Sequence, residues 1–173
     1  VALIVSAGCA PNAEGCMEAG SHRLDAAEQV PLHRPITDAV HGHGALMLLQ
    51  ILHAGRYAKH DQAVGPSAIR APINKFVPRA LSAADIERTI GDYVRCAELA
   101  REAGYDGVEV MGSEGYLITE FLALRTNHRS DEWGGSLEHR SRLATEIVRR
   151  IRARLGPEFL IMFRLSAPDL VPH

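Results

Sequence analysis

Four short apolar runs constrain this chain more than any other feature: VALIV (1–5), LMLLQIL (46–52), GVEVM (107–111) and FLIMFRL (159–165). Each is nearly continuous in hydrophobicity, as a strand buried on both faces must be, and such strands belong to parallel sheets. Helical patterns fill the intervals. Thr37 to Gly42 reads as a short helix ending at glycine. Ser82 to Ala103 is stronger: Ser82 with Asp85 three residues on is a capping-type start, Ile86, Ile90, Tyr93, Val94, Ala97, Leu99 and Ala100 fall at helical spacing, and Gly104 stops it. Ser136 to Leu155 repeats the design, with Ser136 as N-cap, Leu143, Ile147, Ile151 and Leu155 on one face, and Gly156-Pro157 as terminator. The order is β-α-β-α-β-α-β, which right-handed crossovers turn into a run of units from a barrel or part of a doubly wound sheet. No GxGxxG or GxxxxGK[ST] follows any run, against an open nucleotide-binding sheet.

Composition narrows the functional classes. At 173 residues, 46% hydrophobic and 23% charged, the chain is ordinary globular material. A formal charge of −2 without a basic run gives no support to nucleic-acid or polybasic membrane partners. No apolar run approaches the roughly 18 residues of a membrane span, and Val1 to Val5 is too short, without preceding basic residues, for a signal peptide. Cys9, Cys16 and Cys96 lack CxxC spacing, suggesting a reducing compartment rather than a disulfide framework or metal site; a cytoplasmic location is the default expectation. The chain starts without Met inside an apolar run and stops at Pro172-His173, so it is expected to be an excerpt of a longer polypeptide. There is no repeat of 20 to 50 residues. The irregular stretch from Gly55 to Leu81, with Pro66, Pro72 and Pro78, is long enough to suggest a functional loop.

Gly104 to Ser136 joins a buried strand to a polar segment and the start of the next helix, the placement of functional groups at the C-terminal face of a β/α barrel. Here the residues resemble a known family. QILHAGR (50–56), GPSAIRAPINKFVPRALS (65–82), AREAGYDGVEV (100–110), GYLITEFLALRTNHRSDEWGGS (115–136) and FRLS (163–166) are similar to the old yellow enzyme superfamily of FMN-dependent oxidoreductases. Within it they look closest to the bacterial NADPH-dependent 2,4-dienoyl-CoA reductases. The resemblance is colinear over essentially all 173 residues. It implies a partial FMN-binding domain over 1–173: a fragment of a TIM (β/α)8 barrel holding about strands two to five. It also implies reduction of a conjugated C=C bond in acyl-CoA thioesters, as in unsaturated fatty acid β-oxidation.

Residue by residue, Gln50 is a carboxamide able to donate to and accept from the pyrimidine edge of a flavin, or a buried amide satisfied by backbone. Arg164, ending the fourth run, needs an anionic partner if buried: reduced flavin, or a carboxylate such as Glu109. Gly8, after the first strand, either lets backbone approach a flavin or is a turn glycine. The resemblance assigns all three to FMN. A phenol in a dry pocket can act as general acid, and Tyr116 matches the family's proton donor; its plain reading is packing. Arg125 is expected to meet the acyl or CoA portion, or else to form a surface ion pair. Asn127, Arg129 and Asp131 are expected to brace the loop. His53 reads as structural, and His41-Gly42-His43 as the end of a helix without a third ligand for a metal.

The sequence departs from common ene-reductases at Met111 and Glu114, where a His and an Asn, or two His, usually hydrogen-bond the enone oxygen; thioether and carboxylate cannot replace those donors. That favours the dienoyl-CoA branch, whose catalytic histidine, 4Fe-4S cluster and FAD- and NADPH-binding portion are expected outside this chain, making the rest of the polypeptide its partner. Another ene-reductase, an amine-dehydrogenase-like FMN flavoprotein, or a non-catalytic truncated barrel are the alternatives.

Overall fold

The computed structural model describes residues 2–166, so Val1 of the first apolar run lies outside the described residues. In chain order the elements are β1 (Leu3–Cys9), α1 (Val30–His41), β2 (Leu46–Ile51), β3 (Val64–Gly65), β4 (Arg79–Ala80), α2 (Ala83–Glu102), β5 (Gly107–Gly112), α3 (Leu117–Leu122), α4 (Leu137–Leu155) and β6 (Leu160–Leu165). Single 3-10 turns lie at Ala27–Gln29 and Gly55–Tyr57. β1, β2, β5 and β6 form one parallel sheet in that spatial order, while β3 and β4 pair with each other.

Strand order decides between the two architectures. A doubly wound sheet reverses direction at a switch point and so carries helices on both faces. Here every crossover advances the same way, and right-handed connections then place the helices on one face, the arrangement of consecutive units in a (β/α)8 barrel. The core confirms the placement: Ile86, Ile90, Tyr93 and Ala97 of α2 and Leu143, Ile147 and Ile151 of α4 share one buried cluster with Met47, Leu49, Ile51, Val108 and Val110 of the strands. Each large side chain fully buried there contributes about 1.5–3 kcal/mol of transfer free energy. The intervening strand residues face the other way. Leu46, Leu160 and Met162 are 43%, 40% and 38% exposed. Gly107 pairs with Leu160, and a Cβ there would come within 2.2 Å of the Leu160 carbonyl, so the sheet closes only because the residue is glycine.

Three elements differ from the sequence reading. β1 runs on to Cys9, because Ser6 Oγ accepts the Gln50 amide (3.0 Å) and an irregularity in register between Val5 and Gly8 resumes pairing with β2. Gly8 therefore lies within the strand, opposite Gln50, and not after it. α1 begins at Val30 rather than Thr37, although it includes Pro31 and Pro35. Pro31 falls in the first turn, where its missing N–H is harmless. Buried Thr37 docks the helix by donating to the Ala103 carbonyl at 2.8 Å, and packing overrides the penalty at Pro35. The irregular 55–81 segment is closed by the β3–β4 pair and by buried Asn74, whose amide donates to the carbonyls of Arg56 and Ala58.

The expected ends of α2 and α4 hold. Ser82 Oγ accepts from Asp85 N (3.1 Å) while the Asp85 carboxylate accepts from Ser82 N (3.0 Å). Among the described residues no helix is long and apolar enough to cross a membrane.

Candidate active site

The face away from the helices builds the site from rows of strand partners. Gly8, Gln50, Glu109 and Met162 form one row, and Met111 and Arg164 the next toward the C-terminal ends. In a barrel this is the row that reaches the mouth. Gln50 and Glu109 are both buried and meet directly: Gln50 Nε2 donates to Glu109 Oε1 at 2.6 Å. The carboxylate considered as a partner for Arg164 is thus engaged by the carboxamide.

Arg164 instead pairs with Glu114, Nη2 to Oε1 at 2.9 Å, and both side chains are 50% exposed. The guanidinium lies near the end of its strand as expected but is half exposed rather than buried. Glu114 holds its place with a left-handed backbone (φ 63°), and its amide donates to Ser166 Oγ at 3.0 Å. A non-glycine residue in that conformation stores strain of the sort that persists where surroundings over-determine it. Met111 is buried next to Ser113, whose hydroxyl lies 3.4 Å from the thioether sulfur.

Two residues beyond Glu114, Tyr116 is the N-cap residue of α3, with extended backbone and a half-buried side chain. Its ring meets Tyr57 edge-on, centroids 6.1 Å apart at 81°. Burial raises its phenol above the ordinary value of 10, and the neighbouring Glu114 and Tyr57 push the same way. The phenol is therefore protonated at neutral pH, the state a proton donor requires. Arg125 is exposed on the loop after α3. That loop is braced by Asn127, which donates to the carbonyls of Phe121 (2.7 Å) and Trp133 (2.8 Å), and by Arg129, which binds Asp131 and the carbonyls of Pro66 and Leu81. His41 pairs with Asp106 at 2.9 Å. Among the described residues no group of three or more His, Cys, Asp or Glu is placed to hold a metal.

The residues suit a flat heteroaromatic ligand with carbonyl edges and a negative reduced form. A Cβ at Gly8 would come within 3.1 Å of Gln50 Oε1 and 2.9 Å of Leu52, so only bare backbone leaves the carboxamide room. The bond to Glu109 uses one of the two amide hydrogens of Gln50, and Arg164 adds a cation at the rim.

Sequence reasoning missed Tyr57 and Glu120. Glu120 is 1% exposed on α3, its Oε1 accepts from Arg56 N at 2.9 Å, and burial raises its carboxyl to about 8. An acid between Ile118 and Phe121, inside an apolar run, was its visible signal; Tyr57 had none. His53 is buried and its imidazole is lowered to about 3, chiefly by that burial. Nδ1 accepts from Gly55 N, so the neutral ring carries its proton on Nε2.

A model of the NADH:flavin oxidoreductase / NADH oxidase family matches residues 1–173. The NADPH dehydrogenase of Geobacillus sp. (strain WCH70) is 38% identical over 175 residues, covering 100% of this chain and 51% of that protein. The old yellow enzyme homologue from Zymomonas mobilis superposes with a TM-score of 0.88 at 37% identity, over 94% of this chain and 49% of that one. A 2-naphthoyl-CoA reductase in complex with 2-naphthoyl-CoA gives a TM-score of 0.88 at 31% identity, over 93% of this chain and 27% of that one. The chain spans between 21% and 51% of the length of curated relatives it matches.

Proposed function

The chain belongs to the NADH:flavin oxidoreductase / NADH oxidase family, and from that premise we propose that it contributes the FMN-binding half-barrel of an NAD(P)H-dependent oxidoreductase that reduces a conjugated C=C bond in 2,4-dienoyl-CoA thioesters. The observation that carries the reading is Tyr116: a protonated phenol at the N-cap of α3, just beyond the end of β5, the strand that carries Glu109 and Met111. Bound FMN supplies hydride. Gln50, the backbone at Gly8 and Arg164 would hold it, and the guanidinium would favour its anionic reduced form. Tyr116 donates the proton to the carbon of the conjugated system left electron-rich by hydride addition, and its phenolate is reprotonated from solvent.

The rim supports this substrate class. Met111 and Glu114 offer a thioether and a carboxylate where an enone oxygen would need two donors, so the donor to a thioester oxygen is assigned to residues outside 1–173. Arg125, exposed after α3, suits the anionic CoA portion. The similar fold of a 2-naphthoyl-CoA reductase supports an acyl-CoA in such a barrel. The reading also assigns FAD, the NADPH site and a 4Fe-4S cluster to other parts of the polypeptide, which iron and flavin analysis of the natural protein would check.

In the natural full-length protein, Tyr116→Phe should leave flavin content and reduction by NADPH unchanged and slow reoxidation by a dienoyl-CoA by roughly 10² to 10⁴, the range for a lost general acid. Reoxidation at the unaltered rate removes Tyr116 from the chemistry. Equal reoxidation by a simple enone and by the dienoyl-CoA would refute the substrate class.

A further inference from the structure

Three ties join the segment after β2 to the segment that carries Tyr116. The His53 carbonyl accepts from Leu117 N at 3.1 Å. Glu120 Oε1 accepts from Arg56 N at 2.9 Å. The Tyr57 ring stands edge-on to the Tyr116 ring. The segment is held in turn from behind: Ala54 N donates to the Gly15 carbonyl, Gly55 N to His53 Nδ1, and Asn74 Nδ2 to the Arg56 carbonyl.

Glu120 is the costly member of this clamp. Burying a carboxyl is unfavourable unless its oxygens are satisfied, and Oε2 has no hydrogen-bond partner among the described residues. Two glycines make room for it: a Cβ at Gly55 would lie 2.1 Å from Oε1, and one at Gly65 would lie 2.9 Å from Oε2. An apolar side chain of similar size would fill the space at lower cost. What it could not do is accept the amide of Arg56, the residue before Tyr57. Four residues before Glu120 on the same turn of chain is Tyr116 itself, whose carbonyl accepts the Glu120 amide at 2.9 Å. The carboxyl and the phenol are thus the two ends of one short lever.

Resting on the assignment of Tyr116 as proton donor, we propose that Glu120 is a positioning residue for Tyr116: through the Arg56 amide it holds the Gly55–Tyr57 turn so that the Tyr57 ring fixes the orientation of the Tyr116 phenol. Tyr57 is the second positioning residue, and the guanidinium of Arg56, 5.5 Å from the Tyr57 ring centroid, steadies that ring.

The test uses the natural full-length protein with Glu120→Leu, Glu120→Gln and Tyr57→Ala. Two quantities are followed: reoxidation of the reduced flavin by a dienoyl-CoA, and ionisation of the Tyr116 phenol by NMR of ring-labelled tyrosine, assigned with Tyr116→Phe. Glu120→Leu and Tyr57→Ala should lower kcat by roughly 10- to 100-fold with KM within about threefold, the signature of a misplaced group. In both, the Tyr116 ionisation should move down toward the ordinary value, since an unsupported ring gains solvent, with Glu114 still facing it. Glu120→Gln keeps the acceptor for Arg56 and should restore both quantities to within about threefold of wild type. Unchanged kcat and phenol ionisation in Glu120→Leu and Tyr57→Ala overturn the proposal, as does a Gln variant as impaired as the Leu variant. If Glu120→Leu fails to fold, Tyr57→Ala, at a half-buried ring, decides alone. Should Tyr116→Phe leave turnover intact, the functional reading fails separately, and the phenol titration still reports whether Glu120 orients the ring.

Discussion

The two faces of the parallel sheet, one residue apart along every strand, serve different ends. Leu49, Ile51, Val108 and Val110 point toward α2 and α4 and are at most 1% exposed. Gln50, Glu109, Met111 and Arg164 point the other way and carry a buried amide–carboxylate bond, a thioether and a rim guanidinium. A strand reverses its side chains at every step, so stability and chemistry can be assigned to neighbouring positions without sharing one. The difference predicts that damage on one face should be read in denaturation and damage on the other in flavin binding and turnover.

The largest expected effect is on the functional side: Tyr116→Phe should slow substrate-driven flavin reoxidation by roughly 10² to 10⁴ while leaving the thermal midpoint in place. A large fall in the midpoint would show that rim and core are not separable. On the helix side, Ile90→Ala, at a fully buried position of α2, should destabilise by about 2–5 kcal/mol through lost transfer energy and the cavity left behind. Denaturant titration measures that, and flavin reduction by NADPH in the folded fraction should be unchanged.

Two buried titratable groups near the rim sharpen the comparison through pH. Glu120 keeps its proton up to about 8 in the fold, against an ordinary value of 4.5. Between those values the folded state holds more protons than the unfolded one, so this group's contribution is full below about 4.5 and lost as pH rises toward 8. The slope for one proton is at most about 1.4 kcal/mol per pH unit, and Glu120→Gln should remove it from a stability–pH curve. His53 works in the opposite sense. Its folded value of about 3 lies below the ordinary 6.5, so its contribution is full above 6.5 and lost as pH falls toward 3. A curve for Glu120→Gln parallel to wild type between pH 5 and 8 would contradict the assignment of the buried carboxyl.

Smaller effects follow. Arg164→Ala should loosen FMN by roughly tenfold and make the flavin harder to reduce, since a cation stabilises the anionic form most; wild-type FMN content and potential would make its role the ion pair with Glu114 alone. Ser82→Ala should cost about 1 kcal/mol by removing the cap of α2, with no change in any flavin property.

Much of this was legible without coordinates. The four apolar runs became the four sheet strands within a few residues, and Ser82, Gly104, Ser136 and Gly156 bound their helices as the capping rules require. Three features were not legible for identifiable reasons. The sequence pattern marks only Thr37 to Gly42 of α1, while the contact of Thr37 with the Ala103 carbonyl that holds the helix spans 66 residues. α3 has only six residues, too few to show a helical period, and it is secured by ties to His53 and Arg56. Arg164 pairs with Glu114 rather than Glu109, which lies one row back and accepts from Gln50.

The sequence by itself determined what local physics controls: strands from continuous hydrophobicity, helices from period and caps, and, through colinear motifs, the family. Only the tertiary structure decided which polar groups meet. Gln50 and Glu109 lie 59 residues apart and Glu120 and Arg56 lie 64 apart. The strength of such a contact depends on distance and burial, neither of which is encoded in the spacing of residues along the chain. For the same reason Glu120 reads in the sequence as an ordinary acid, and becomes a protonated anchor beneath Tyr116 only when two distant segments close over it.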